Sequence, residues 1–236
     1  MDPSCMTDRR ATGLALRDLG RMEYREAWEL QKRLVAERHA GTAGDTLLVV
    51  EHEPVITVGR GARGDLDVLA AGGGAGGEMG QAVTPVVAVE RGGQATWHGP
   101  GQIVVYPIVK LRDDRHDLHG WMRALEEATI RAVGEWGLRA GRREGATGVW
   151  IDGQRKLCSI GVAATRWVTW HGLALNHEPD LMAFAAINPC GFDAAVMTSM
   201  RRELERGASP RPCPPRAPVV AALVRHLRDT LQDFRG

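Results

Sequence analysis

The sequence predicts an α/β (α+β) fold, a single domain with one mixed β-sheet flanked by helices. Three observations point there. Short runs rich in β-branched residues recur at 46–50, 55–58, 83–89, 103–108 and 168–175. Two longer stretches, 24–40 and 117–136, carry apolar residues at helical spacing. Strands fall before, between and after these helices with no internal repeat, the order expected of one layered α/β or α+β domain. At 236 residues the chain is long enough to bury a sizeable core without disulfide staples.

Taken in order, residues 1–19 read as a flexible N-terminus, and 20–206 as the domain proper. Ala27, Leu30, Leu34 and Val35 mark the helix Tyr24–Ala40, with Gly41 as its stop. Strands follow at 46–50 and, after Pro54, at 55–58. The stretch 71–80 (AGGGAGGEMG) has too little apolar surface to pack and reads as a mobile glycine-rich loop. Runs at 83–89 and 103–108 are strands on either side of a long connection. Asp117 caps a helix running to Trp136, striped by Leu118, Trp121, Met122, Leu125, Ala128, Ala132 and Val133 and ended by Gly137. These tryptophans read as core. Residues 149–151, Asp152-Gly153 and 157–163 form a hairpin, since Asp-Gly suits a type I′ turn. A strand at 168–175, a short helix Met200–Arg206, a Pro-rich linker within 207–218 and a C-terminal helix over 219–236 complete the chain.

Composition narrows the classes of function. A net charge of +1, from 30 basic and 29 acidic residues, argues against a protein that coats nucleic acid. Arg142-Arg143 and Arg201-Arg202 read as solvated surface pairs. No run approaches a membrane span, and the N-terminus lacks the apolar core of a secretory signal. A cytoplasmic protein with reduced thiols is the expectation. Cys5, Cys158, Cys190 and Cys213 show no zinc-ligand spacing. Cys5 and Cys213 fall in stretches read as flexible ends, and Cys158 reads as a packed strand residue.

The most informative stretch is 91–102, RGGQATWHGPGQ. Gly92-Gly93 lets backbone approach a ligand closely, and Gly99-Pro100-Gly101 is strong turn punctuation. The loop is shaped to hold something. Cys190, in Asn188-Pro189-Cys190-Gly191, sits in a turn like a positioned nucleophile, against the usual fate of a free cysteine as a small buried hydrophobe. A nucleophilic thiol, with a free pKa of about 8.5, needs a base or a cation beside it. His98, His171 and Lys156 are the candidates, and spacing alone does not choose among them. Residues 58–64 (VGRGARG) look superficially like a phosphate loop but lack the Gly-Lys-Ser/Thr ending. A metal site from His98, His171, His177 and Cys190 lacks any recognised ligand spacing, so no metal is expected.

With these pieces in place, the chain resembles the lipoyl(octanoyl) transferase family, within the biotin/lipoate protein ligase-like superfamily. Motifs match in order: EHEPVITVGR at 51–60, the 91–102 loop, TGVW at 147–150, KLCSIG at 156–161, HGLALN at 171–176, NPCG at 188–191, and Thr198-Ser199. The resemblance covers roughly residues 20–205. It implies a fold like the biotin/lipoate protein ligase catalytic domain and a catalytic dyad of Cys190 and Lys156. It further implies substrate contacts at Arg91, Gly92, Gly93, Gln94, Ala95, Thr96, Trp97 and His98, at Ser159, Ile160 and Gly161, and at Gly172, Leu173 and Ala174. His98 and His171 then become pocket-building residues.

The implied reaction moves an octanoyl group from octanoyl-acyl-carrier protein to a lysine of a lipoyl domain through an acyl-cysteine thioester, in lipoate biosynthesis. No ATP and no metal are expected, because the donor is already a thioester on the phosphopantetheine arm of the carrier protein. The partners implied are that carrier protein, the lipoyl domains of 2-oxoacid dehydrogenase E2 subunits and the glycine cleavage H protein, with no nucleic acid and no membrane. An acidic carrier would favour a basic rim, for which Arg142, Arg143 and Arg166 are candidates. Three departures stand out: Glu53 for the usual proline, Trp97 for Tyr or Phe, and Cys158 for a small residue. Trp97 is the one expected to bear on pocket width. The rival readings are an ATP-dependent lipoate or biotin ligase, an amidotransferase between two lipoyl-domain proteins, and a non-catalytic acyl- or lipoyl-domain-binding module.

Overall fold

In a computed structural model, the structure describes residues 13–61, 84–187, 194–207 and 209–236. The strands are β1 (Ala15–Met22), β2 (Thr46–His52), β3 (Val55–Val58), β4 (Val86–Ala88), β5 (Ala95–His98), β6 (Gln102–Ile108), β7 (Ala140–Arg143), β8 (Ala146–Ile151), β9 (Arg155–Thr165) and β10 (Val168–Asn176). The α-helices are α1 (Tyr24–Ala40), α2 (Leu118–Gly134), α3 (Met200–Arg206) and α4 (Arg216–Thr230). Seven strands form one sheet in the order β1-β2-β6-β10-β9-β8-β7, and three form a smaller sheet, β4-β3-β5. Both are mixed. β1 runs parallel to β2 and β3 parallel to β4, while the remaining pairs are antiparallel.

Burial follows from the alternation of side chains along each strand. Leu48 and Val50 of β2, with Val104 and Tyr106 of β6, meet Ala27, Leu30 and Leu34 of α1 on one face. Leu47 and Val49, Ile103 and Val105 turn the other way, into a core completed by Trp121 and Leu125 of α2 and Leu223 and Leu227 of α4. The helix boundaries have local causes. Glu23 accepts from the Glu26 N–H at 3.1 Å to cap α1, and Gly41 ends it at φ 76°. Asp117 accepts from the Gly120 N–H at 2.9 Å to cap α2.

The four predicted helices and the mixed sheet are present, and the 152–153 turn closes as expected, with φ values of 50° and 64°. Several expectations change. The stretch read as flexible through residue 19 carries β1 from Ala15, an edge strand with mostly exposed side chains and therefore no burial pattern to read. The 91–102 connection contains β5, and β7 (AGRR) has no β-branched residue to announce it. The final helix begins at Arg216 instead of 219, with Pro218 accommodated in its first turn. Cys213, placed by sequence in a flexible end, packs against the large core. The 71–80 stretch lies outside the described residues. Among the described residues no helix is long and apolar enough to cross a membrane.

Candidate active site

The Arg91 loop is held by its own arginine. Arg91 is buried, and its Nη1 donates to the carbonyls of Gly92 (3.1 Å) and Gln94 (2.7 Å). Its Nη2 donates to the Thr57 carbonyl (2.8 Å) and to Thr57 Oγ1 (2.9 Å). The VGRGARG stretch, which looked like a phosphate loop, closes this clasp instead: the N–H groups of Gly59, Arg60 and Gly61 donate to the carbonyls of Gln94 (3.2 Å), Arg91 (3.0 Å) and Gly93 (3.0 Å). A Cβ on Gly59 would collide with the Gly93 carbonyl, and Gly93 sits at φ 83°, so the crossing needs glycine on both sides.

A directional chain of hydrogen bonds leaves the loop. Gln102 Nε2 donates to Asn176 Oδ1 at 2.9 Å, so its carbonyl oxygen accepts the His98 Nδ1 proton at 2.7 Å. His98 Nε2 is then unprotonated and accepts from Thr57 Oγ1 at 3.3 Å. Asn176 Nδ2 continues to the carbonyl of Thr198 at 2.9 Å, and the Thr198 N–H donates to the carbonyl of Lys156 at 3.0 Å. The Thr198 hydroxyl donates to Glu203 Oε1 at 2.5 Å, and Arg155 donates to both oxygens of Glu203 at 2.9 and 3.0 Å. Buried polar groups thus link Arg91 to the start of β9, where Lys156 lies.

The histidines are part of this scaffold. Burial holds His98 down to about 3, with neighbouring His52 adding to the effect. It holds His52 down to about 4 and His171 to about 3. All three are neutral near pH 7. His52 Nδ1 donates to the Met22 carbonyl (3.0 Å), so its Nε2 accepts from the Tyr106 hydroxyl (2.7 Å). Tyr24 stacks on His98 with centroids 6.0 Å apart, and Tyr106 meets His171 edge-on at 6.5 Å.

These rings close one end of a cavity. Arg91, Gly93, Thr96 and His98 line it with Ser159, Ile160 and Gly161 of β9 and Gly172, Leu173 and Ala174 of β10. Tyr24, Val104, Tyr106 and His171 also line it, and all four are buried. Gly92 and Gln94 face a second cavity, a slot bounded by Leu118 and Met122 of α2, residues 145–147 and Lys156. The two spaces share Gly93, Ile160 and Gly161.

Ala95 and Trp97 point away from both. Alternation along β5 sends Thr96 and His98 toward the cavity and Ala95 and Trp97 into a satellite core with Phe184 and Ile187. Trp97 meets Phe184 edge-on at 5.3 Å. It does not set the width of the cavity, contrary to the expectation from sequence.

Lys156 is 3 % exposed, and its Nζ lies 5.2 Å from the centroid of the Trp150 ring. Among the described residues Nζ has no hydrogen-bond or ion-pair partner. Cys190 and its neighbours at 188–193 lie outside the described residues. Cys158 is in the core, and burial pushes its thiol up to about 12. Of the three arginines suggested for a basic rim, Arg143 lies over the Trp150 ring, 4.8 Å from its centroid. Arg142 is engaged by Glu126 (3.1 Å) and Glu127 (2.9 Å), and Arg166 contacts His39 Nε2 at 2.9 Å on the β9–β10 turn. His98 and His171 are not grouped with His177. Among the described residues, His177, Glu178 and Cys213 bring ligand atoms within 4.8 Å, but His177 Nε2 also meets the Pro214 carbonyl at 2.8 Å and Glu178 pairs with Arg201.

Sequence reading missed Thr57, Gln102, Asn176, Tyr24 and Tyr106. A signal existed for two: Gln102 ends RGGQATWHGPGQ and Asn176 ends HGLALN, and polar residues closing β-rich runs invite a question about their partners.

Residues 23–215 match the model of the lipoyl protein ligase A/B catalytic domain. An octanoyltransferase of Solibacter usitatus is 49 % identical over 185 residues, covering 78 % of this chain and 81 % of that protein. One of Rubrobacter xylanophilus is 44 % identical over 230 residues, covering 97 % and 98 %. The bipartite lipoate protein ligase of Thermoplasma acidophilum, solved in a study of that ligase and its E2 lipoyl domain, has the same fold. Its TM-score is 0.64 at 21 % identity, covering 94 % of this chain and 85 % of that one.

Proposed function

Because the chain belongs to the lipoyl protein ligase A/B catalytic-domain family, we propose that it is an octanoyltransferase of lipoate biosynthesis that works through Cys190 and Lys156. Octanoyl transfer is the activity named for relatives that are 44–49 % identical over most of the chain. The observation that carries the two-residue assignment is the state of Lys156. Its amino group is sequestered in a slot, lacks a fixed polar partner among the described residues, and opens toward the cavity of the Arg91 loop.

In this reading the donor is octanoyl-acyl-carrier protein. Lys156 takes the Cys190 thiol proton, and the thiolate attacks the thioester carbonyl. The carbon–sulfur bond to phosphopantetheine breaks, and the departing thiolate receives that proton. An acyl-Cys190 thioester remains, so one difficult step is divided into two. A lysine of a lipoyl domain, carried on an E2 subunit or the glycine cleavage H protein, then attacks the acyl carbon. Lys156 removes a proton from the incoming amine and returns it to the Cys190 sulfur as the amide forms. The octanoyl tail passes from the slot beneath Gly93 into the cavity, where each buried methylene contributes about 0.8 kcal/mol. The first thioester exchange is nearly balanced and amide formation is downhill, so no nucleotide is required.

The test is transfer from octanoyl-carrier protein to a lipoyl domain without ATP. Turnover in its absence is expected. Activity only with free octanoate plus ATP would replace this reading with the ligase.

A further inference from the structure

The cavity is more polar than a saturated chain requires. Val104, Ile160, Leu173 and Ala174 give it apolar walls, but its closed end is built from Tyr24, Thr96, His98, Tyr106 and His171. Most polar atoms there are already satisfied: His98 by Thr57 and Gln102, and the Tyr106 hydroxyl by His52. Others are not: among the described residues, Thr96 Oγ1 and His171 Nε2 are buried without a hydrogen-bond partner, on residues that are 5 % and 2 % exposed. The Tyr24 hydroxyl also has no hydrogen-bond partner among the described residues.

Leaving such groups bare in a closed space is costly, and native proteins seldom do it. His171 is held there at φ 55°, a backbone conformation that a residue with a Cβ adopts only under constraint from its surroundings. Gln31 Oε1 accepts from its N–H at 2.9 Å, and its ring stacks on Trp170 with centroids 4.4 Å apart. Glu90 Oε2 lies 3.8 Å from its Nε2, too far for a hydrogen bond, and is itself without a hydrogen-bond partner among the described residues.

We infer that the closed end of this cavity is a polar subsite that takes acyl chains bearing a hydroxyl at their far carbon, in addition to plain octanoyl. The inference rests on the octanoyltransferase reading above, because it takes the acyl tail to enter past Gly93 from the Lys156 slot. Thr96 Oγ1 donates or accepts as the hydroxyl requires. The Tyr24 hydroxyl, whose ionisation burial pushes up, stays protonated as a donor. An apolar pocket would instead penalise such a chain, since a buried hydroxyl without a partner costs about 5- to 150-fold in affinity.

The experiment compares kcat/KM for ω-hydroxyoctanoyl- and octanoyl-carrier protein with a lipoyl domain as acceptor. The two values are expected to lie within about 3-fold of each other, far from the penalty for an unpaired hydroxyl. Thr96→Val is expected to lower the hydroxyoctanoyl-to-octanoyl ratio by about 5-fold or more. Should that variant not fold, Tyr24→Phe supplies the same ratio. A wild-type preference for octanoyl of about 50-fold or more would overturn the inference, as would a ratio unmoved in the folded variants. Octanoyl transfer with rejection of the hydroxylated donor would remove the subsite and leave the octanoyltransferase reading intact. Failure with both donors would remove that reading and the subsite together.

Discussion

The loop after β4 and the hairpin that opens β9 face the same space, but the fold treats their cations in opposite ways. Arg91 donates to the carbonyls of Gly92, Gln94 and Thr57 and to the Thr57 hydroxyl, and these bonds shape the backbone around it. Lys156 is as deeply buried, yet its amino group is left facing a slot without such bonds among the described residues. A buried cation tied to backbone acceptors is architecture. One that faces a slot without such bonds is, in the reaction proposed above, the group that carries the proton. The proposal thus gives one residue class two purposes about one opening, and hydrogen-bond partners distinguish the two where burial does not.

That contrast is most sharply broken by exchanging the lysine for an uncharged residue of similar length. Lys156→Met should lower octanoyl transfer by about 10²- to 10⁴-fold, the range for loss of a positioned acid–base group, with little change in melting temperature. A loss of folding in place of activity would put Lys156 with Arg91 as architecture. Arg91→Met should do the reverse. It removes the bonds that the guanidinium makes to the carbonyls of Gly92, Gln94 and Thr57, so unfolding free energy should drop by about 3 kcal/mol or more in denaturant titrations, with KM raised as the loop loosens.

The scaffold histidines supply the next test. Because burial depresses His98 and His171 to about 3 and His52 to about 4, the unfolded chain binds more protons than the fold once pH drops below the ordinary histidine value. Their contribution is fully present above about pH 6.5 and is lost progressively as pH falls toward the folded values. Melting temperature should decline between pH 7 and 5, and less steeply in His98→Gln. The smallest effect is expected at Trp97. Since its ring packs on Phe184 and not in the cavity, Trp97→Phe should reduce stability by about 1 kcal/mol and leave the acyl-chain length profile unchanged. A shifted profile would return Trp97 to the cavity wall.

Trp97 also marks where sequence reading stopped. The motif placed it beside the substrate, but alternation within β5 decides which side it faces, and a four-residue strand inside a glycine-rich loop has no periodic pattern to reveal it. The helices α1 and α2 were legible because their apolar stripes and caps are local signals. The strand β1 was not, since an exposed edge strand is specified by its parallel partner β2. The hydrogen-bond chain through Gln102 and Asn176 joins residues 74 apart in sequence, a pairing that only the β6–β10 register creates. Cys190 and Lys156 stood out from the motifs they occupy, whereas the tyrosines behind the cavity belong to no motif.

The central claim, that acyl transfer passes through Cys190, is tested most directly by intact-mass and peptide analysis after mixing the protein with octanoyl-carrier protein alone. Cys158 is an internal control, a thiol pushed up to about 12 within the core. The account predicts one octanoyl adduct, released by hydroxylamine and mapped to Cys190. An adduct on Cys158, or none from a donor that still supports turnover, would contradict it.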